Sequence, residues 1–390
     1  VIRSENAAAL RAAALAGTTR TMLRSLISRL RHAHRPLTAL QVEVTTRCTR
    51  RCAVCPASAL AASWRRHDLT AAAWEAIRPA LPRFGHVHLQ GWGEPLLHSE
   101  LPRMAAEAHD AGCRVGLTTN GDLLEAADWV TGGSIDLISV SLGGNAAGHA
   151  RRRNGSSLGD VLGAAAALAR RPGAPRVSAS FLLTRENATE LADVVREVAA
   201  ARLYELYVIH LDALPTVELA EAAAFADDAL RPGVATALAA AARTATACRL
   251  RLRLPAGEPR DLVACDLDPT RFVTVSADGR VGACVYQLLP VLGPVPRWTR
   301  SRRIDVEPAL YGRVPEQTLD VIIDGPDRAD FISAFQRRHD AEIAFRDALP
   351  LDASAEAVAA LDRAAAVRDR AFASSPFPAA CQGCAKANGW

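Results

Sequence analysis

From residue 39 the chain repeats one pattern: a short run of apolar and β-branched residues, a loop rich in glycine or polar residues, then a stretch with apolar positions at helical spacing. The runs are Leu40–Thr46, His86–Gln90, Arg114–Thr118, Ile135–Leu142, Val177–Leu183 and Glu205–Leu211. Parallel strands need crossover connections, and these are usually helical. Six βα units in series therefore predict an α/β fold, a parallel sheet with helices outside it that forms a partial (β/α)6 barrel. Chemistry in such folds sits on the loops at the C-terminal ends of the strands.

The alternation fades after Leu211. A helical stretch at about 217–246 and a β-like Arg249–Leu254 lead to Pro255-Ala-Gly-Glu-Pro259, whose composition marks a linker. Beyond it, Arg271–Ser276 and Arg280–Val285 flank Ala277-Asp278-Gly279 and predict a β-hairpin through an Asp-Gly turn. Helices are predicted at about Arg328–Arg346 and Ala355–Phe372, the second with Ser354 as its N-cap. Ahead of the barrel, residues 7–33 read as one or two helices with Leu23, Leu26, Ile27 and Leu30 at helical spacing among several arginines, most simply a cap on the main domain. The expected division is a helical segment at 1–38, the barrel at 39–255 and a small C-terminal α+β domain at 256–390.

Composition narrows the picture. A 390-residue chain with 49% hydrophobic and 23% charged residues is of globular type. Charged residues interrupt every apolar run before it reaches the roughly 18 residues a membrane span needs, so no membrane partner is expected. The net charge of +4 is far from that of a dedicated nucleic-acid binder. Lys386 is the only lysine, so the positive charge is nearly all Arg, and with the abundant Ala this reads as coding bias. Nine cysteines, an odd number without a secretory signal, make a poor disulfide framework. Their spacing has to account for them.

The unusual residues cluster just after the predicted strands. Cys48, Cys52 and Cys55 follow the first, Gly91-Trp92-Gly93-Glu94-Pro95 the second and Thr119-Asn120-Gly121 the third. Ser139 and Ser141 lie on the fourth, Ser178 and Ser180 on the fifth. Three thiolates close together can grip one metal or three corners of a cluster and leave one position open, whereas a structural zinc site closes with four ligands. The Cys-x3-Cys-x2-Cys spacing directly after a strand, at the start of a βα series, resembles the radical S-adenosylmethionine (radical SAM) enzymes.

That resemblance implies a TIM-like partial barrel in which Cys48, Cys52 and Cys55 bind three irons of a [4Fe–4S] cluster and SAM chelates the fourth. It implies reductive cleavage of SAM to a 5′-deoxyadenosyl radical, which abstracts hydrogen from substrate, and a flavodoxin- or ferredoxin-type electron donor. Gly91, Trp92, Gly93 and Glu94 look like the family's glycine-rich motif, with Glu94 or nearby carbonyls receiving the SAM ammonium group. Asn120, Ser141 and Ser180 stand where polar groups would meet SAM, and Ile209, within Val208–His210, where the adenine edge is expected.

Four more cysteines are C-terminal: Cys265, Cys284, Cys381 and Cys384. A closed four-thiolate site holds zinc or an iron–sulfur cluster, and ligand chemistry alone does not decide between them. The Cys-x18-Cys hairpin followed much later by Cys-x2-Cys resembles the auxiliary-cluster extension called SPASM, or twitch in its shorter form. The resemblance implies one auxiliary [4Fe–4S] cluster here, and Phe331–Arg338 resembles a helix common in SPASM chains. Cys113 and Cys248 remain, and lone cysteines are most often buried small hydrophobes.

Two kinds of substrate stay open. One is a small natural-product intermediate, such as a sugar or cyclitol, undergoing dehydrogenation or epimerisation with the auxiliary cluster as electron acceptor. The other is a ribosomally made peptide that gains a crosslink, thioether or epimerised centre. Peptide maturases often carry an N-terminal leader-binding domain, and only 38 residues precede the barrel, which favours the small molecule. A third reading, a non-enzymatic zinc protein that binds nucleic acid through Arg, predicts two zinc sites and no SAM binding. Oxygen-labile clusters imply a reducing cytoplasm.

Overall fold

The structure is a computed structural model that describes residues 37–259, 262–299, 302–348 and 354–390; the helices expected at 7–33 lie outside the described residues. All six expected strands form: β1 (Leu37–Val42), β2 (Phe84–Leu89), β3 (Arg114–Thr119), β4 (Leu137–Leu142), β5 (Arg176–Leu183) and β6 (Glu205–His210). They pair in parallel in chain order, and the short β7 (Arg251–Arg253) adds to β6 in the same sense. The crossovers carry α1 (Pro56–Ala59), α2 (Ala71–Ile77), α3 (Leu101–Asp110), α4 (Ala146–Arg152), α5 (Leu158–Ala169) and α6 (Leu191–Ala200). Thr70, Asn145 and Ser157 cap α2, α4 and α5 by accepting a backbone N–H with their side chains.

The two faces of this sheet differ chemically. Leu40, Val42, Val87, Leu89, Val115, Leu117, Ile138, Val140, Ala179, Phe181 and Leu206 are fully or almost fully buried. They pack against Leu101, Met104, Ala105 and Ala108 of α3 and Leu191, Val194, Val195 and Val198 of α6, both spaced i, i+3, i+4, i+7. The alternate residues Gln41, His88, Thr118, Ser139, Ser141, Ser178, Ser180 and Tyr207 point to the opposite, concave face. A parallel sheet with both faces in an apolar core reads as continuous hydrophobic runs. Here the alternation marks a polar barrel interior.

The helical stretch expected at 217–246 is broken into α7 (Val217–Ala222) and α8 (Arg231–Cys248). Pro232 sits in the first turn of α8, where its missing N–H costs nothing. The predicted hairpin forms as β8 (Phe272–Val275) and β9 (Arg280–Gly282), and Gly279 in its turn has φ +86°. β8 pairs in parallel with β1, Leu40 opposite Val273, so the hairpin extends the barrel sheet. Two further strands, β10 (Val295–Thr299) and β11 (Arg302–Val306), make a separate antiparallel ribbon, and β12 (Leu310–Arg313) pairs with β9. Among the described residues the ten-stranded sheet runs β12-β9-β8-β1-β2-β3-β4-β5-β6-β7, with no pairing of β7 to β12. After α9 (Leu319–Ile323), α10 (Pro326–Asp347) and α11 (Ala355–Ser374) follow, with Ser354 capping α11 as expected. Among the described residues no helix is long and apolar enough to cross a membrane.

Candidate functional site

The loop after β1 is held from two sides. Arg50 donates to both carboxylate oxygens of Asp122, at 2.6 and 2.7 Å, and the Thr49 hydroxyl donates to the same carboxylate at 2.7 Å. Ala53 N donates to the carbonyl of Arg152 at 2.9 Å. Arg152 is itself buried and tied to Glu190 at 2.8 Å and to the Gly143 carbonyl at 3.0 Å. Cys55 stands at the N-terminus of α1, just ahead of Pro56. Burial pushes the Cys55 thiol up to about 11 and raises that of Cys48. Thiols in such a setting become ligands when a metal centre supplies the charge that deprotonates them.

Gly91–Pro95 lies directly against this loop. A Cβ on Gly93 would stand 2.3 Å from the Thr45 carbonyl oxygen and 2.5 Å from that of Arg47, so only glycine fits. Glu94 N donates to the Arg47 carbonyl at 2.8 Å. The buried Glu94 carboxylate accepts from Thr119 Oγ1 at 2.8 Å, Asn120 N at 2.7 Å and Leu96 N at 3.1 Å. It therefore braces the ends of β2 and β3. Asn120 donates its side-chain amide to Thr49 Oγ1 at 2.9 Å and reaches Cys48 Sγ at 3.6 Å. Trp92 is fixed by its backbone N–H to Glu43 Oε1 at 2.7 Å and by its indole N–H to the Val285 carbonyl at 3.3 Å.

Ser141, Ser180 and Tyr207 form one row across β4, β5 and β6, because Ser141 pairs with Ser180 and Ser180 with Tyr207. Ile209, 40% exposed, lies one step further along the same face, opposite Leu182. Deeper in the barrel the hydroxyls of Ser139, Ser178 and Thr274 are buried without a protein partner. Buried polar groups are normally satisfied, so these mark space for water or a polar ligand. An open three-thiol loop, a glycine turn with no room for a side chain and unused hydroxyls on the same concave face fit SAM held at a cluster.

Cys265, Cys284, Cys381 and Cys384 line a single enclosed cavity. Two buried arginines build it. Arg297 donates to the Ala380 and Gln382 carbonyls at 2.8 and 2.9 Å and so fixes the turn carrying Cys381 and Cys384. Arg338, within the expected Phe331–Arg338 helix, lies 4.0 Å from the Phe372 ring centroid and 4.5 Å from that of Phe377, and donates to the carbonyls of Leu262, Val263, Phe372 and Ser375. It thus joins the segment before Cys265 to the segment before Cys381. Burial, reinforced by the neighbouring thiols, pushes Cys265 up to about 11, Cys284 to about 12 and Cys381 higher still. Among the described residues no three His, Cys, Asp or Glu side chains are grouped to hold a single metal ion.

The remaining cysteines diverge. Cys113 is buried and donates its S–H to the Leu81 carbonyl, as a core residue. Cys248 is exposed, contrary to expectation, because it is the last residue of α8, beyond the Ala237, Leu238, Ala241 and Ala245 face that packs. Sequence reasoning also missed Glu43, Asp122, Arg297 and Asp212, buried or half-buried polar residues whose partners are distant in the chain. Asp212, just after β6, accepts from Tyr286 at 3.1 Å and pairs with Lys386 at 3.1 Å. Lys386 carried a signal as the sole lysine. A cavity of about 420 Å³ opens beside them, at the end of β6.

Residues 42–198 match the model of the Radical SAM superfamily. Among solved structures the fold is similar to native anSMEcpe with bound AdoMet, at 16% identity and a TM-score of 0.56, covering 76% of this chain and 83% of that one. It is also similar to SuiB of Streptococcus suis bound to S-adenosylmethionine, at 13% identity and a TM-score of 0.56, covering 81% and 73%. SuiB bound to the precursor peptide SuiA matches at 11% identity and a TM-score of 0.54, covering 81% and 72%. Comparison with curated protein sequences finds no match.

Proposed function

From a chain that carries a radical SAM domain over residues 42–198, we propose an enzyme that abstracts hydrogen from a small natural-product intermediate, such as a sugar or cyclitol. Cys48, Cys52 and Cys55 hold the SAM-binding [4Fe–4S] cluster, and Cys265, Cys284, Cys381 and Cys384 hold an auxiliary one. When bound, SAM and the clusters supply the radical and a one-electron acceptor, which together make the net reaction a two-electron oxidation. The chain's own residues position and enclose. Asp122 and Arg50 fix the first thiol loop, Gly93 lets the loop after β2 lie against it, and the Ser141–Ser180–Tyr207 row offers hydroxyls to the ligand.

The observation that carries the auxiliary cluster is the convergence of four thiols on one enclosed cavity. Four protein ligands close such a site, in contrast to the open three-thiol loop. The substrate reading rests on the cavity of about 420 Å³ at the end of β6, which shares Ile209 and His210 with the expected adenine edge of SAM and adds Tyr207, Asp212 and Trp390, so that a substrate there would lie beside SAM. Its size and mixed lining suit a small polar molecule.

A peptide substrate is the second reading. A more open cavity of about 450 Å³ lies outside, lined by Pro215, Leu292 and Trp298, with Leu292 75% exposed. SuiB, similar in fold, binds a precursor peptide. Comparing metabolites and peptides between wild-type and gene-deleted cells separates the two: an accumulating small precursor supports the first reading, and an unmodified peptide overturns it. For the chemistry, anaerobic reconstitution should yield about eight irons per chain, four for each cluster. Zinc without iron overturns both cluster assignments. With dithionite in place of a flavodoxin- or ferredoxin-type donor, Cys52→Ala should abolish 5′-deoxyadenosine formation. Cys381→Ala should leave SAM cleavage but stop product formation.

A further inference from the structure

Lysine occurs once among the 46 Lys and Arg residues of this chain, at Lys386, two positions beyond Cys384. Its Nζ lies 3.1 Å from Asp212 and 3.0 Å from Asp266. Asp212 stands at the mouth of the barrel just after β6, and Asp266 directly follows Cys265. The Asp212 and Lys386 side chains are only 8% and 13% exposed. Tyr286, two positions beyond Cys284, donates its hydroxyl to Asp212 at 3.1 Å, and the ammonium lies 5.9 Å from its ring centroid. Lys386 and Tyr286 also line the cavity bounded by the four thiols. One ammonium therefore joins the barrel to the chain neighbours of Cys265, Cys284 and Cys384.

We infer that Lys386 is a positioning residue of the four-thiol centre: it clamps the Cys381–Cys384 turn to the barrel through Asp212, and its fixed charge raises the reduction potential of that centre. The inference rests on the reading of this site as an iron–sulfur cluster. Three physical arguments support it. The pair with Asp212 is out of water, so breaking it would leave a buried charge uncompensated and it holds the ammonium in place, while Asp266, 66% exposed, adds a solvent-screened contact. An ammonium with three donors can bond both carboxylates at once, and a guanidinium, with five donors, keeps that charge and that bridging capacity. Four thiolates make the centre anionic and reduction adds negative charge, so a cation held beside it in a low-dielectric wall favours the reduced form.

The test uses the full chain, reconstituted anaerobically, with iron counting and a redox titration followed by electron paramagnetic resonance. Lys386→Met should keep both clusters and lower the potential of the second one. Asp212→Asn, which leaves the ammonium less compensated, should raise it, and Lys386→Arg should stay near wild type. Shifts of opposite sign support a charge role. Unmoved potentials, or shifts of the same sign in Lys386→Met and Asp212→Asn, overturn it. If Lys386→Met sheds the second cluster, retention in Lys386→Arg together with a raised potential in Asp212→Asn still supports the inference, and failure of either overturns it. Four irons in the wild type would instead sink the auxiliary-cluster reading itself, and the inference with it. Acylation by an amine reagent, read at Lys386 by peptide mass mapping so that the N-terminal amine is counted apart, reports on the clamp: labelling of Lys386 should increase in Asp212→Asn, and unchanged labelling counts against the clamp.

Discussion

Asp122, on the loop after β3, grips Arg50 in the middle of the Cys48–Cys55 segment through two charge-assisted hydrogen bonds of 2.6 and 2.7 Å. Burial works against the Asp122 carboxylate, but the hydrogen bonds from Arg50 and Thr49 outweigh it and hold its pKa below the usual range. The pair is mostly shielded, with side chains 23% and 15% exposed. Hydrogen bonds to charged groups contribute about 1.5–3 kcal/mol each, less where solvent screens them.

Asp122→Ala should therefore loosen the first thiol loop by roughly 1–3 kcal/mol while the barrel stays folded. The measurement is iron retained per chain after dilution into chelator. The first cluster should be lost several times faster than in wild type, and equal retention would show that Asp122 does not hold the loop.

Gly93→Ala tests the turn after β2. The added methyl group meets the carbonyl oxygens of Thr45 and Arg47 at 2.3 and 2.5 Å, and neither belongs to a flexible side-chain end. The loop has to move. SAM affinity measured by calorimetry should fall by about tenfold or more, equivalent to roughly 1.4 kcal/mol. Gly163→Ala is the control: it is a helical glycine of α5 with nothing within 4 Å of a Cβ. It should leave SAM binding unchanged and stabilise the fold by about 0.5–1 kcal/mol.

How far the sequence reached depended on the range of the interaction. Strand periodicity and the spacing of Cys48, Cys52 and Cys55 are local signals, and the barrel and first thiol loop were legible from them. The Asp278-Gly279 turn disclosed the hairpin, but the parallel pairing of β8 with β1 joins residues more than two hundred positions apart and left no local trace. β10, β11 and β12 are short and carry Pro or Arg where an apolar residue would alternate, so no period-2 pattern exposed them. Glu94 was legible as part of a motif. Its role as a brace depends on Thr119 and Asn120 of another strand end.

Arg338 is predicted to control the second cysteine site without touching a thiol. Its guanidinium lies over the Phe372 and Phe377 rings and satisfies carbonyls from two separate segments. Arg338→Met fills similar space but leaves those acceptors unpaired, at about 1–3 kcal/mol for each buried one. The melting temperature should fall, and the second cluster should be lost before the first. Arg338→Lys keeps the charge but not the fork, so it should fall between wild type and Met. Iron counts and thermal melts check the order, and full iron content in Arg338→Met would contradict it.

Glu43 gives a pH signature. Its carboxylate is 1% exposed on the concave face of the sheet, just beyond β1, and accepts from Trp92 N at 2.7 Å and Ala277 N at 3.2 Å. Burial raises its pKa from 4.5 to about 7, against the two backbone hydrogen bonds that lower it; Asp278 raises it further and Arg280 opposes. A folded-state value above the unfolded one means that the group favours folding most below about pH 4.5. That contribution is lost as pH rises to about 7 and is flat beyond. A shift of this size corresponds to about 3 kcal/mol across the window. Glu43→Gln stays neutral throughout, so the difference in stability between variant and wild type should change by that order between pH 4.5 and 7. The glutamine can accept from only one of the two N–H groups and so loses a further roughly 1–3 kcal/mol, but equally at every pH. Denaturant unfolding at pH 5, 6, 7 and 8 separates the slope from this offset, and a pH-independent difference would show that Glu43 is ionised in the folded chain across the range.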